Sequence, residues 1–142
     1  MDYARVSVGG FRITAIQAGV YYPDGGCLFG VIPKDRWAKV LPPNEANRVA
    51  LNLNCYVVET GAHTVVIDTG GGIRVDGDAA VGGGLIAPFS LPDVMAEVGI
   101  DPLKVDVVIS SHLHWDHCGG NATVCDGSNG PAFVNASYYC SK

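Results

Sequence analysis

Two short runs rich in β-branched residues, 64–68 and 105–109, are separated by one segment of helical spacing, and this pattern governs how the rest of the chain can be arranged. Strands that run parallel cannot be joined by a tight turn; they need a crossover of a dozen or more residues, usually with a helix in it. Here the crossover opens with a glycine-rich stretch, 70–88, predicted to be a loop. It continues with Leu91, Val94, Met95 and Val98 at helical intervals. Ser90 followed by Asp93 resembles a capping box, with Asp in place of the more usual Glu or Gln, and Gly99 supplies a stop. Residues 64–109 therefore read as a β-loop-α-β unit with parallel strands, and the chain as an α/β protein.

The flanking sequence adds strands. Val6, Val8, Phe11, Ile13 and Ile16, interrupted by Gly9-Gly10, predict an opening β-hairpin. Residues 21–30, with Pro-Asp-Gly-Gly inside them, read as a loop. Pro33 then stands where a first helical turn tolerates it, ahead of Trp37, Val40 and Leu41, and Pro42-Pro43 end that helix. Leu51, Leu53, Cys55 and Val57 alternate with Asn52, Asn54, Tyr56 and Val58, the period of a strand with one buried face. Thr60-Gly61-Ala62-His63 turns the chain, and a final strand is expected over 132–139.

At 142 residues the chain is expected to form one domain, 1–142, with no internal repeat or linker. Nine Lys plus Arg against fourteen Asp plus Glu give a net charge of −5, and the basic residues do not cluster, which argues against nucleic acid as a partner. The first ten residues have no charged segment leading into an apolar run, and no stretch approaches the roughly 18 apolar residues of a membrane span. The five cysteines, at 27, 55, 118, 125 and 140, are widely spaced and include no C-x-x-C pair. Reduced thiols in a cytoplasmic setting are the simpler reading.

Chemistry follows directly on the second strand of the parallel pair. Three of the four histidines fall within Ser111-His112-Leu113-His114-Trp115-Asp116-His117-Cys118-Gly119-Gly120. In extended backbone His112 and His114 point to one side and can converge on a cation, while Asp116 and His117 lie where the chain leaves the strand and can turn toward a second. Two such ions, typically ~3.5–4 Å apart, can ionise a water at neutral pH. The open end of a parallel strand is also where α/β proteins place ligands. Cys118 is either a further ligand or a small packing residue. The competing reading of the whole cluster is a surface group of histidines satisfied by backbone hydrogen bonds.

The segment His112-x-His114-x-Asp116-His117 resembles the signature of the metallo-β-lactamase superfamily, and Val66-Ile67-Asp68-Thr69-Gly70 resembles the strand end that precedes it there. The fold implied is the N-terminal half of a four-layer αβ/βα sandwich. By that resemblance the cofactor is zinc, two ions per complete site, with His112 and His114 on the first and Asp116 and His117 on the second. Asp116 would also help orient the nucleophile, a metal-bound hydroxide, and Asp68 would support the ligands from behind. Phe29-Gly30-Val31-Ile32-Pro33, Asn54-Cys55-Tyr56 and His117-Cys118-Gly119-Gly120-Asn121 look most like the branch of lactone and ester hydrolases that includes acyl-homoserine lactonases. The substrate would be a small molecule.

The resemblance is incomplete. Members usually add downstream a third histidine, a bridging aspartate and a further histidine, whereas here no histidine follows His117, and Asp126 lies close behind it. The chain is therefore expected to be an N-terminal portion of a longer enzyme. The inner face of such a half sandwich would be an apolar patch favouring self-association, so a homo-oligomer is possible on these grounds. Within the enzyme reading, Trp115 also resembles hydroxyacylglutathione hydrolases and makes thioester hydrolysis the alternative; a non-catalytic metal-binding or interaction module is another. Asp68-Thr69-Gly70 resembles the triplet of retroviral-type aspartic proteases, which leaves the histidines unexplained, and Asp68 as a plain turn cap is the simpler competitor. Tyr21, Tyr22 and Trp37 are weighed as pocket walls against ordinary packing, and His63 is given no role.

Overall fold

The computed structural model describes residues 2–73, 85–86, 89–125 and 128–141. Asp126 and most of the predicted 70–88 loop fall outside these. The strands β1 (Tyr3–Val8), β2 (Phe11–Tyr21), β3 (Leu51–Glu59), β4 (Thr64–Ile67), β6 (Val107–Ser110) and β9 (Ser137–Cys140) form one sheet in the order β1-β2-β3-β4-β6-β9, and the two-residue β5 (Leu85–Ile86) pairs with β2. The first three pairings are antiparallel; β4 with β6 and β6 with β9 are parallel. The opening hairpin and the parallel pair predicted from sequence are both present.

Helix α3 (Leu91–Glu97) covers one face of the sheet. Ser90 Oγ accepts the N–H of Asp93 at 3.4 Å, so the capping half of the predicted box is made. Leu91, Val94 and Met95 are buried against Ile16, Cys55, Val57, Val66 and Val108, which the strand registers place on one face. Burying each of these helix side chains contributes roughly 1.5–3 kcal/mol. With Val105 and Phe133 they make up the core.

The other face of the sheet is different in kind. Its registers align Val6 with Ile13, Val58, Val65 and Val107, and Ala15 with Tyr56, Ile67, Ile109 and Tyr139. Val6, Tyr56, Ile109 and Tyr139 are 56%, 41%, 39% and 60% exposed. This is an apolar sheet face open to solvent, as expected of the N-terminal half of a sandwich whose two sheets pack together.

Three local expectations need correction. The predicted loop at 21–30 contains helix α1 (Gly25–Phe29), because Asp24 acts as an N-cap: its Oδ1 accepts the N–H of Gly26 at 2.8 Å and of Cys27 at 3.2 Å. The helix after Pro33 is a single turn, α2 (Lys34–Trp37), with Trp37 stacked on Phe29 and Val40 left exposed. The expected strand over 132–139 begins only at Ser137, since Phe133 plunges into the core and its N–H donates to the Tyr138 hydroxyl at 2.9 Å. Ahead of it stands a hairpin of β7 (Ala122–Cys125) and β8 (Ser128–Pro131). Asp126-Gly127, a dipeptide common in hairpin turns, was its available signal.

Cys55 sits at the centre of β3 with no exposed surface, and burial, reinforced by the nearby Asp68 carboxylate, pushes its thiol up to about 12. Because the folded value lies above that of the unfolded chain, the stability carried by this neutral thiol is intact below roughly pH 8.5 and is lost as pH climbs toward about 12. In native protein at pH 8, Cys55 should stay unmodified by iodoacetamide while the exposed Cys27 and Cys140 react; peptide mass mapping reads the result. Rapid labelling of Cys55 would contradict its placement.

Candidate metal centre

The site lies at the C-terminal ends of the parallel strands β4 and β6. Asp68 leaves β4 in left-handed backbone, φ 55°, which a short polar side chain tolerates better than other non-glycine residues. Its N–H donates to the Ile109 carbonyl at 2.9 Å, and Thr69 N–H donates to the His117 carbonyl at 2.8 Å, so the two strand ends are tied together across the site. Strand β6 itself stops at Ser110. His112 and His114 therefore do not extend the strand: the chain bends, and His114 directly precedes the one-turn helix α4 (Trp115–Cys118), which carries Asp116 and His117.

This bend gathers the rings more tightly than a strand would. The His112 and His114 centroids lie 4.7 Å apart, edge to face, and those of His112 and His117 4.0 Å apart. His117 Nε2 is 3.6 Å from Asp116 Oδ2. Its Nδ1 lies 2.8 Å from Asp68 Oδ2, an arrangement that leaves Nε2 as its free donor atom.

Asp68 accepts more than that one bond. Ser111 N–H donates to Oδ1 at 2.7 Å and Ser111 Oγ–H to Oδ2 at 2.8 Å. Burial works to raise the Asp68 carboxyl, but the hydrogen bonds from His117 and Ser111 outweigh it and hold the group below its ordinary range. Asp68 is thus an ionised, nearly buried carboxylate. Ser111 Oγ also stands 3.1 Å from His112 Nδ1, so one hydroxyl touches both the carboxylate and a second ring. Ser111 was not among the residues singled out from sequence; its position directly before the first histidine was the only hint.

Around the cluster, Tyr21, Ala50, Leu51, Asn52, Leu53, Asn54, Asp116 and His117 enclose a cavity of about 370 Å³. Tyr21 meets Trp115 edge to face at 5.0 Å and so belongs to this wall. Trp37 does not: it is buried on Phe29 and Gly25. Cys118 is half-buried, and burial together with Asp116 and Asp68 pushes its thiol up. His63 is exposed at the far end of the sheet, 3.7 Å from Asp106.

Among the described residues no three His, Cys, Asp or Glu side chains converge at distances that hold one ion. The His112 ring lies nearest that of His117, then that of His114, and Asp116 stands beside His117. Imidazole nitrogens and a carboxylate are the ligand types that zinc takes. By the chemistry of its donors the set fits a divalent metal.

The sequence model of the metallo-beta-lactamase superfamily matches residues 48–142, and the chain belongs to that superfamily. It is 28% identical over 129 residues to an N-acyl homoserine lactonase of Bacillus sp, covering 84% of this chain and 48% of that protein. The fold is similar to that of a probable metal-dependent hydrolase from Staphylococcus aureus, with a TM-score of 0.83 and 26% identity over 94% of this chain and 47% of the other. It is also similar to a Bacillus thuringiensis AiiA variant solved with N-decanoyl-L-homoserine at its active site, with a TM-score of 0.59 and 26% identity over 89% and 46% of the two chains. The chain spans about half the length of the curated relatives it matches.

Proposed function

We propose that the protein carrying this chain is a metal-dependent hydrolase of lactone or ester bonds, with N-acyl homoserine lactones as the first substrate class to test. The observation that carries this reading is the cluster of His112, His114, Asp116 and His117, of which Asp116 and His117 line an open cavity, anchored from behind by the ionised Asp68. The relatives matched are lactonases, which favours a cyclic ester over a thioester.

His112 and His114 would hold one ion and Asp116 and His117 the other. When bound, divalent zinc would supply a nucleophile at neutral pH and polarise the substrate carbonyl. The chain's own residues prepare that chemistry. Asp68 keeps a proton on His117 Nδ1 and fixes the ring, so that Nε2 faces outward, and Ser111 links the same carboxylate to His112. Asp116, beside His117 Nε2, presents a carboxylate oxygen that can orient a water for attack. Leu51, beside Tyr21, gives the cavity apolar surface suited to an acyl chain, while Asn52 and Asn54 offer amides to a polar head.

The test is chelation. Treatment with EDTA should remove hydrolysis of N-hexanoyl homoserine lactone, followed by pH-stat titration, and stoichiometric zinc should restore it. Zinc-loaded protein that leaves lactones and simple esters untouched, or turnover indifferent to the chelator, would overturn the proposal.

A further inference from the structure

Behind the histidine cluster, two loops meet backbone to backbone. Residues 69–72 come after β4, and residues 117–121 run from the end of the helical turn that carries Asp116 and His117. Gly120 N–H donates to the Gly70 carbonyl at 3.1 Å, and Gly70 and Cys118 form an isolated parallel bridge. A Cβ on Gly120 would lie 2.3 Å from the Thr69 carbonyl oxygen, and one on Gly119 2.5 Å from that of Gly71. At positions 119 and 120 only a residue without a side chain fits.

One side chain closes it. Asn121 Oδ1 accepts the Thr69 hydroxyl at 3.0 Å, and its Nδ2 donates to Ser110 Oγ at 3.1 Å. Thr69 is fully buried and Ser110 is 3% exposed, so without Asn121 both hydroxyls lose a partner in a place where water does not readily replace it. The three linked positions are not equivalent ones. Thr69 directly follows the carboxylate that anchors His117 and holds the His117 carbonyl through its own N–H; Ser110 directly precedes Ser111, which joins that carboxylate to His112. The amide therefore spans the roots of both anchors.

We propose that Asn121 is a positioning residue for the metal centre: by bridging Thr69 and Ser110 it sets the separation of the two strand ends, and through them the placement of His112 and His117 against Asp68. This rests on the metal reading given above. It predicts that Asn121 acts on metal affinity rather than on folding alone, because the groups it ties lie within one residue of the anchoring hydrogen bonds.

The experiment is zinc affinity by competition with a chromophoric chelator, with the melting temperature of the metal-free protein measured alongside. Asn121→Leu keeps the shape and removes both hydrogen bonds; Thr69→Val removes one of them from the other side, together with the 3.4 Å contact of the Thr69 hydroxyl with the His117 carbonyl; Thr69→Ser keeps the hydroxyl. Asn121→Leu and Thr69→Val should each weaken zinc binding by roughly ten- to hundredfold. Thr69→Ser should stay within about twofold of the parent. The inference falls if Asn121→Leu is folded and binds zinc like the parent. Should Asn121→Leu fail to fold, Ser110→Ala, which takes away the acceptor of the Asn121 amide, decides in the same way. It also falls if Thr69→Ser loses as much affinity as Thr69→Val, which would mark a packing effect. A parent protein that binds no zinc defeats the functional reading and this inference together, whereas a zinc-binding parent with unmoved variants defeats this one only.

Discussion

Asp116→Ala is expected to lower lactone hydrolysis by the zinc-loaded protein by more than about a hundredfold while leaving the circular dichroism spectrum unchanged. Loss of a group that merely supports a ligand typically costs ten- to a hundredfold in affinity or activity, and a group that touches the ion directly should exceed that. Asp116 is suited to a clean test. Its side chain lies in a single helical turn on the cavity wall, 29% exposed and outside the core cluster, so truncating it removes little packing. His112→Ala should have a comparable effect through the other pair of donors. Turnover within about threefold of the parent in either variant would remove that residue from the site.

Gly120→Ala should be strongly destabilising. The added methyl would sit 2.3 Å from the Thr69 carbonyl oxygen, and what it meets is backbone already tied down on both sides, not the movable end of a side chain. Overpacking of this kind costs typically 1–3 kcal/mol, occasionally more. About 3 kcal/mol in a chain of this length corresponds to a fall on the order of 10 °C in melting temperature. Gly10→Ala is the matched control, since nothing lies within 4 Å of the position its Cβ would take. Equal melting temperatures for the two variants would show that the seam is looser than drawn.

The features legible in the sequence were those written in periodicity and in side-chain chemistry. Alternation over β3 revealed which face is buried, because each strand residue reports on the face it joins. The β-branched runs around a helical segment gave the parallel pair, because a parallel connection has few other solutions. The histidine cluster is plain from its density in the sequence. What escaped notice depended on contacts between distant segments. Ser111 has an ordinary polar identity, and its role appears only when Asp68, 43 residues earlier, is folded against it. Asn121 is similar: both partners come from other strand ends. Helix α1 was missed for a local reason, since Asp followed by two glycines serves a turn and an N-cap equally well.

The bare apolar face has a consequence for how this enzyme class can diversify. Asn52 and Asn54 lie on that face, along the same strand as Tyr56, and they also border the cavity next to Asp116 and His117. On the proposed hydrolase reading, whatever packs against the face would also roof the place where substrate enters. Reactivity and choosiness would then reside on separate pieces of the fold, the histidine turn supplying the first and the roof the second.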